Sequence, residues 1–510
     1  MKEKRCHFFS AASLAGYLAV AALLSGCESS KQPLTNTPSH ASLPAPTQQV
    51  KAKENSSQIP AFLQKFPHDA YHKLLSGNQV VGKTVFHWSV DQDKLRFDED
   101  SDMKITLFKK SQLISTESKT WTNAKLEIQK LLFKMKSDSA FIEISGERLS
   151  NQLQLKITQA GQTQTKSLAI EEPTLMSSTI RPFLLMKGLP SEPLALSPLM
   201  LEPSALTTVP VSLKVSKMRA DLWKVDFTYL QHQMLSEMTG NGSLLSEKSD
   251  FAGLSIVAKP SSAAELKNLF LEGTQSDLVE LAKVQFPTLL HSQQLKKLSV
   301  KISGVDLHTF ELNRHRQTLN GDILTAEVEN LPKETLPVQS LVGQQNIEIY
   351  LQGDAMTEVY DPVIQKQARE IVGTESDLWK RALLIKDFVY RELKKEATIS
   401  IPNALEILQT KKGDCNEHAV LYTALARAAG IPTRPVVGLV YSGSFNGGAG
   451  FYYHAWVEVF AGKEWVAIDP TWNQVPADAT HLAFVEGGLD QQVQVTSLMG
   501  KIKLSLVSSF

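Results

Sequence analysis

The stretch Gly413-Asp414-Cys415-Asn416-Glu417-His418 decides how this 510-residue chain is interpreted. A cysteine attacks as its thiolate, and the unsatisfied N–H groups at the start of a helix favour that anion. Here the glycine breaks the preceding segment, and Ala419, Tyr422 and Leu425 then recur on or near one helical face. We therefore expect a helix that begins at Cys415, with its thiol in the position of a nucleophile.

Two further motifs follow in the order of a catalytic triad. Tyr453-His454-Ala455-Trp456 lies in a segment that alternates as a strand, and Ile468-Asp469-Pro470-Thr471 ends an apolar one. An imidazole opposite the thiol would take its proton and return it to a leaving amine. A carboxylate at the end of a neighbouring strand would orient that imidazole. The sequence predicts Cys415 as nucleophile, His454 as base and Asp469 as orienting residue.

Each of these residues also has a simpler explanation. A lone cysteine is usually a small buried hydrophobe, although the polar neighbours of Cys415 argue against that. His454 shares its strand face with Trp456, so it could be a hydrogen-bonded core histidine. Asp469 could merely initiate the turn at the following proline. The sequence favours the catalytic interpretation because the three occur together, each in a suitable local context.

Several separated motifs agree in order and spacing with one known family: Gly413, Cys415, Ala419, Ala424-Leu425-Ala426-Arg427, Gly430-Ile431-Pro432, Arg434, His454-Ala455-Trp456 and Asp469-Pro470-Thr471. On these motifs, residues 402–481 resemble the transglutaminase-like superfamily. The resemblance implies a papain-like α+β core with Cys415, His454 and Asp469 as its triad. The backbone N–H of Cys415 is the natural first donor of an oxyanion hole, and the sequence does not identify the second.

Residues 1–26 have the composition of a targeting segment. A basic head precedes an uncharged apolar run over 8–24, which leads into Leu24-Ser25-Gly26-Cys27. This ending resembles the lipobox of bacterial lipoproteins, which implies cleavage before Cys27 and acylation of its thiol and amino group. An uncleaved membrane anchor and an ordinary secretory signal are the alternatives.

The three cysteines bear on the cellular compartment. Cleavage would remove Cys6 and acylation would consume Cys27, so no internal disulfide could form and Cys415 would be the free thiol. Each buried CH₂ contributes about 0.8 kcal/mol, so several acyl chains would hold the protein on a bilayer. Glu28 stands where inner-membrane bacterial lipoproteins commonly have aspartate. We expect a bacterial envelope protein, lipid-anchored in the outer membrane and facing the periplasm.

The charge balance argues against a nucleic-acid partner. The chain has 53 Lys and Arg against 53 Asp and Glu, whereas nucleic-acid-binding domains are usually basic. No motif implies a nucleotide or organic cofactor. Cys415 and His418 form a lone C-x-x-H without a second ligand pair, so we expect no metal site.

The length predicts two or three domains. Residues 27–60 are rich in proline and small polar residues, which indicates a disordered tether. Short alternating segments over 61–342 predict a β-rich module of one or two subdomains, with helices near 178–187 and 263–271. Residues 343–510 form the predicted catalytic domain. Its helices followed by a small antiparallel sheet are an α+β pattern.

Together these features predict an envelope-anchored cysteine acyl-transfer enzyme acting on a protein or peptide substrate. Cys415 would attack a carboxamide or peptide carbonyl and form a thioester, which water or a lysine amine then resolves. Hydrolysis by a protease or amidase is favoured over crosslinking, because no feature indicates a second amine site that excludes water. The alternatives are a catalytically silent scaffold that binds envelope proteins, and an enzyme kept latent until a partner engages the β-rich module.

Overall fold

The computed structural model describes residues 59–107, 109–137, 141–159, 162–230, 232–251, 253–292, 295–332, 345–396, 403–445, 448–460 and 464–510. The predicted leader, Cys27 and nearly all of the predicted tether lie outside these residues. Within the described ranges, no helix combines the length and the apolar character needed to span a membrane.

Sixteen of the described strands form one large sheet. They are β1 (Asp69–Ser76), β2 (Gln79–Asp91), β3 (Lys94–Leu107), β4 (Lys110–Thr122), β5 (Ile128–Lys136), β6 (Phe141–Leu149), β7 (Gln152–Gln159), β8 (Gln162–Ala169), β9 (Thr174–Leu175), β10 (Leu194–Leu196), β11 (Leu199–Glu202), β12 (Thr207–Arg219), β13 (Leu222–Tyr229), β14 (His232–Met238), β15 (Leu244–Phe251) and β16 (Leu254–Pro260). Sequential neighbours pair antiparallel from β1 to β8 and from β11 to β16, and β9 pairs parallel with β11. The two halves join where β1 pairs with β16. A large β-rich region thus precedes the C-terminal part, as the sequence predicts.

The buried face of the large sheet carries two apolar clusters with polar groups between them. Along β3, Leu95 and Phe97 belong to one cluster, while Met103 and Ile105 belong to the other. Glu99 is buried between them. Alternate residues of a strand point to the same face, so the alternation visible in the sequence becomes the alternation of burial in β3.

A second sheet joins the end of the chain to an earlier segment. Its strands are β17 (Lys297–Ser303), β18 (Gln317–Asn320), β19 (Ile323–Glu327) and β26 (Lys503–Ser509), in the order β18-β19-β17-β26. The predicted domain boundary between 342 and 343 falls in 333–344, outside the described residues. It remains a prediction.

The described α-helices are concentrated in the C-terminal part. They are Ile180–Lys187, Ala263–Lys267, Leu278–Ala282, Gln345–Glu348, Pro362–Val372, Leu378–Glu392, Ala404–Thr410, Cys415–Ala428 and Leu489–Gln492. The sequence suggests a capping box from Thr374 to Asp377, but Asp377 is itself the N-cap and accepts a hydrogen bond from the Lys380 N–H at 2.8 Å. That helix therefore begins one turn later than the capping-box interpretation implies.

The helix Cys415–Ala428, named here the nucleophile helix, packs on a four-stranded antiparallel sheet. The strands are β22 (Thr433–Ser442), β23 (Gly450–Phe460), β24 (Trp465–Ile468) and β25 (Leu482–Glu486), in the order β24-β23-β22-β25. The remaining strands, β20 (Lys394–Lys395) and β21 (Lys412–Gly413), pair parallel just before the nucleophile helix. Helices followed by this sheet give the α+β arrangement predicted from the sequence.

Arg434 ties three strands of this sheet together. Its guanidinium lies 2.7 Å from carboxylate oxygens of both Glu458 on β23 and Glu486 on β25. The same group lies over the Trp465 ring, 4.2 Å from its centre. Arg434 therefore has a structural function, because it fixes the strands that carry the candidate site.

Candidate active site

Cys415 is the first residue of the nucleophile helix, and a reciprocal cap fixes it there. The Asp414 carboxylate accepts a hydrogen bond from the Cys415 N–H, while Glu417 Oε2 accepts one from the Asp414 N–H at 2.9 Å. A Cβ at Gly413 would overlap the Glu417 side chain. Glycine, aspartate and glutamate therefore occur in this order because the cap needs them.

This cap corrects one expectation about the oxyanion hole. The Cys415 N–H is not free, because it donates to Asp414 Oδ1. Aspartate is among the strongest N-cap residues, and its carboxylate accepts from a helix N–H that would otherwise have no intrahelical partner. In this conformation the expected first donor is already engaged.

His454 and Asp469 lie in direct contact, as the triad requires. His454 Nε2 donates to Asp469 Oδ2 at 2.8 Å, and both side chains are buried. The contact arises because β23 pairs with β24, and Asp469 directly follows β24. Asp469 Oδ1 accepts from the backbone N–H groups of Thr471 at 2.8 Å and Trp472 at 3.0 Å. Asp469 thus initiates a turn with one oxygen and binds the histidine with the other.

Two tryptophans hold the His454 ring in place. The Trp456 ring stacks at 6.3 Å between centroids, and the Trp472 ring stacks at 4.8 Å with an interplanar angle of 27°. Trp456 is fully buried, whereas Trp472 is partly exposed. Trp472 was not predicted from the sequence.

His481 is the main residue that the sequence analysis missed. Its Nε2 lies 3.2 Å from Asp469 Oδ2, the oxygen that also binds His454, and its Nδ1 lies 3.2 Å from Asp478 Oδ1. Burial alone would lower the pKa of His481, but its hydrogen bonds and charge interactions with Asp469 and Asp478 raise it to about 9. An aspartate three residues before a histidine at the start of an apolar strand was the available signal.

Asp469 is ionised in this environment. Burial would raise the pKa of its carboxyl, but the charges and hydrogen bonds of His454 and His481 hold that pKa well below its usual range. A permanently negative group therefore lies between the two imidazoles.

His418 lies one helical turn after Cys415. Its Nδ1 donates to the Asp414 carbonyl at 2.6 Å, and burial lowers the pKa of its imidazole to about 4 despite that bond. The nucleophile helix packs on β23, the strand that carries His454. His418 is neutral at physiological pH, and its Nε2 has no hydrogen-bond partner among the described residues.

His454, Asp469 and His481 offer ligand-type atoms within 4.8 Å of one another. In this structure those atoms are hydrogen-bonded to each other, and Asp478 occupies the other nitrogen of His481. These ligand-type atoms therefore already have hydrogen-bond partners within the group. The expectation that the site holds no metal remains a prediction.

The site is closed in this conformation. Cys415 is 1% exposed and His454 is 2% exposed, so a substrate carbonyl reaches the thiol only after a movement of the surroundings. A cavity of about 560 Å³ lies elsewhere, between strand β8 and the segment 353–361, and the triad residues do not line it.

Residues 365–470 match the family model of the transglutaminase-like superfamily. The matched span contains Cys415, His454 and Asp469. This segment is a transglutaminase-like domain, as its motifs predict. No curated protein matches the chain.

Three solved structures show partial likeness. A candidate cysteine protease from Cytophaga hutchinsonii is 19% identical over 42% of this chain and 85% of its own, with a TM-score of 0.28. A protein of unknown function from Brucella abortus is 13% identical over 39% of this chain and 96% of its own, with a TM-score of 0.32. A candidate protease from Parabacteroides distasonis is 10% identical over 74% and 70%, with a TM-score of 0.19. TM-scores below 0.5 do not establish a shared fold, so the assignment rests on the matched residues and the site geometry.

Proposed function

We propose that this protein is an envelope-anchored cysteine hydrolase with a transglutaminase-like catalytic domain. The observation that carries the proposal is the 2.8 Å contact between His454 and Asp469, on the sheet against which the Cys415 helix packs. Cys415 at the helix start supplies the nucleophile, and His454 supplies the base. The ionised Asp469 supplies the orienting carboxylate.

The hydrogen bonds assign the protons of the reaction. Because His454 Nε2 donates to Asp469, its Nδ1 is the nitrogen left to exchange a proton with Cys415. Nδ1 takes the thiol proton as the C–S bond forms. It then gives that proton to the leaving nitrogen of the substrate as the C–N bond breaks and the amine departs. Water then attacks the thioester, forms the acid and gives a proton back to the thiol by way of His454.

The proposed substrate is a protein or peptide of the bacterial envelope, and hydrolysis is the proposed outcome. Transfer to a lysine amine needs a second entry for the amine, and none of the site residues described above forms one. The proposed anchor is acylated Cys27, which would place the enzyme on the outer membrane facing the periplasm. Labelled palmitate should enter the wild-type protein and be absent from Cys27→Ser.

Two observations favour a second candidate, a catalytically silent scaffold. Cys415 is buried, and its N–H is engaged by Asp414. The same observations fit an enzyme kept closed until a partner binds the β-rich region, which contacts the catalytic part directly. One such contact is the hydrogen bond from His232 Nε2 to the Thr496 carbonyl at 2.7 Å.

The test combines the wild-type protein and Cys415→Ala with envelope extract and a fluorescent primary amine. New peptide termini or deamidated side chains that depend on Cys415 support hydrolysis. Incorporation of the amine instead supports transfer. If neither product depends on Cys415 with or without extract, the scaffold is the correct interpretation.

A further inference from the structure

A chain of four buried groups runs behind the nucleophile. His454 and His481 both direct Nε2 to the same oxygen of Asp469, at 2.8 Å and 3.2 Å, and Asp478 binds the far nitrogen of His481 at 3.2 Å. A triad needs only the first of these contacts. The second histidine and its own carboxylate therefore call for a separate explanation.

We propose that His481 is a positioning residue that fixes Asp469 and places a positive charge behind it, which sets the pH range in which Cys415 and His454 are active. The inference rests on the proposed function, since it concerns the same catalytic pair. His481 contacts Asp469 and not the substrate, so it acts through the orienting carboxylate.

The hydrogen bonds show how His481 fixes the carboxylate. An ionised carboxylate has about four lone-pair positions, and Asp469 fills them with two backbone N–H groups on Oδ1 and two imidazoles on Oδ2. Without His481, Oδ2 would have a single donor and could turn away from His454. With it, Oδ2 accepts from two imidazoles at once, which restrains the orientation of the carboxylate.

The pairing of the strands brings His481 close to Asp469. His481 directly precedes β25, which pairs with β22 opposite the strand that carries His454. Where β22 pairs with β25, a Cβ on Gly438 would overlap the Leu482 carbonyl, so only glycine lets β25 approach this closely. Arg316 holds the incoming loop, because its Nη2 donates to the carbonyls of Ala477 at 3.0 Å and Asp478 at 2.8 Å.

The charges around the four groups make a positive His481 favourable. The charged and titratable groups that surround the chain come from several elements: Asp469 after β24, Asp478 in the loop before β25, His454 on β23, His418 on the nucleophile helix and Arg316 before β18. Two carboxylates contact His481 directly, whereas the Arg316 contacts with this loop are to backbone carbonyls. The raised pKa of about 9, in which those two carboxylates overcome burial, agrees with this geometry.

The proposal predicts the effect of removing the charge. The His481 ring centre lies 5.9 Å from that of His454. A unit charge at about 6 Å, with an effective dielectric constant of about 20, moves a titration midpoint by about two pH units. Loss of the positive charge stabilises the imidazolium form of His454 and removes an attraction for the Cys415 thiolate. The acid limb of Cys415 reactivity should therefore move to higher pH.

The experiment measures the pH dependence of Cys415 alkylation by iodoacetamide in the full chain, followed on the Cys415 peptide by mass spectrometry. His481→Gln keeps an N–H donor near the Nε2 position without the charge, and should move the acid limb upward by about one to two pH units with a similar plateau rate. His481→Ala loses the donor as well, and should also lower the plateau several-fold. The exposed His308 gives the matched control, since His308→Gln should leave the profile unchanged.

The outcomes separate this inference from the proposed function. If wild-type Cys415 titrates as an ordinary thiol and ignores His454→Ala, the proposed function fails. If wild-type Cys415 is activated but His481→Gln has the wild-type profile, only the role of His481 is overturned. A second measurement needs no variant to fold: ¹⁵N-histidine spectra of the wild-type protein at about pH 8 should show a buried imidazole with both nitrogens protonated. Neutral signals from all buried histidines would overturn the inference.

Discussion

The protonation of His481 should make the stability of the fold fall at alkaline pH. Burial lowers the pKa of this imidazole, but Asp469 and Asp478 outweigh it and raise the pKa to about 9, against about 6.5 in an unfolded chain. The folded state therefore binds the proton more tightly than the unfolded state. The resulting stabilisation is fully present below about pH 6.5 and is lost as the pH rises through about 9.

The size of the effect follows from the two pKa values. Their difference corresponds to about 3 kcal/mol of unfolding free energy, since each pKa unit represents about 1.4 kcal/mol. The interaction of His481 with Asp469 is a single coupling between two titrating groups. It is therefore counted once and is not added again for Asp469.

The assay compares the free energy of unfolding in urea for the wild-type protein and His481→Gln at about pH 6, 8 and 10. Groups distant from His481 titrate equally in both proteins, so the difference between them isolates His481 and the groups coupled to it. Wild type should be more stable at pH 6, and its advantage should shrink by about 3 kcal/mol by pH 10. His308→Gln should follow wild type throughout. A difference between wild type and His481→Gln that stays constant with pH would refute the reasoning.

Three further changes test the surrounding structure. Gly438→Ala would push the added Cβ into the Leu482 carbonyl, so it should lower the free energy of unfolding in urea by about 1–3 kcal/mol. A Cβ at Gly443 would make only an ordinary contact with Tyr441, so Gly443→Ala should have little effect in the same measurement. Asp414→Asn keeps an N-cap oxygen but removes a negative charge beside Cys415, so alkylation of the thiol should extend to lower pH; an unchanged profile would show that this charge does not act on Cys415. Trp472→Ala removes the ring stacked on His454 and should lower the plateau of Cys415 alkylation, while an unaltered plateau would exclude a supporting role for the stack.

The parts of the site visible in the sequence are those with local signals. Cys415 follows a glycine and begins a helical pattern, and His454 and Asp469 lie on or directly after apolar strand segments. The structure places all three on the elements expected for them. The hydrogen bond that engages the Cys415 N–H also has a local signal in the sequence, because aspartate directly before a helix is a common N-cap.

His481 and Trp472 could not be assigned in the same way, because their positions depend on tertiary structure. His481 reaches Asp469 because β25 pairs with β22 and not with β24, the strand that precedes it in the sequence. Similarly, alternating residues predicted many strands of the large sheet, but not the pairing of β1 with β16 far along the chain. Periodicity defines which face of a strand is buried, whereas the order of the strands is set by contacts distant in sequence.

The most direct test of the central claim is the rate of Cys415 alkylation by iodoacetamide from about pH 4 to about pH 9, in the wild-type protein and in His454→Ala. The urea-unfolded protein supplies the reference titration of an ordinary thiol, and His308→Ala controls for the loss of a histidine elsewhere. An activated catalytic cysteine should react well below pH 8, and this reaction should slow markedly in His454→Ala. The opposite result is a folded protein in which Cys415 follows the unfolded reference titration and its rate does not depend on His454. That result would contradict the proposed enzymatic function and leave a binding scaffold as the interpretation.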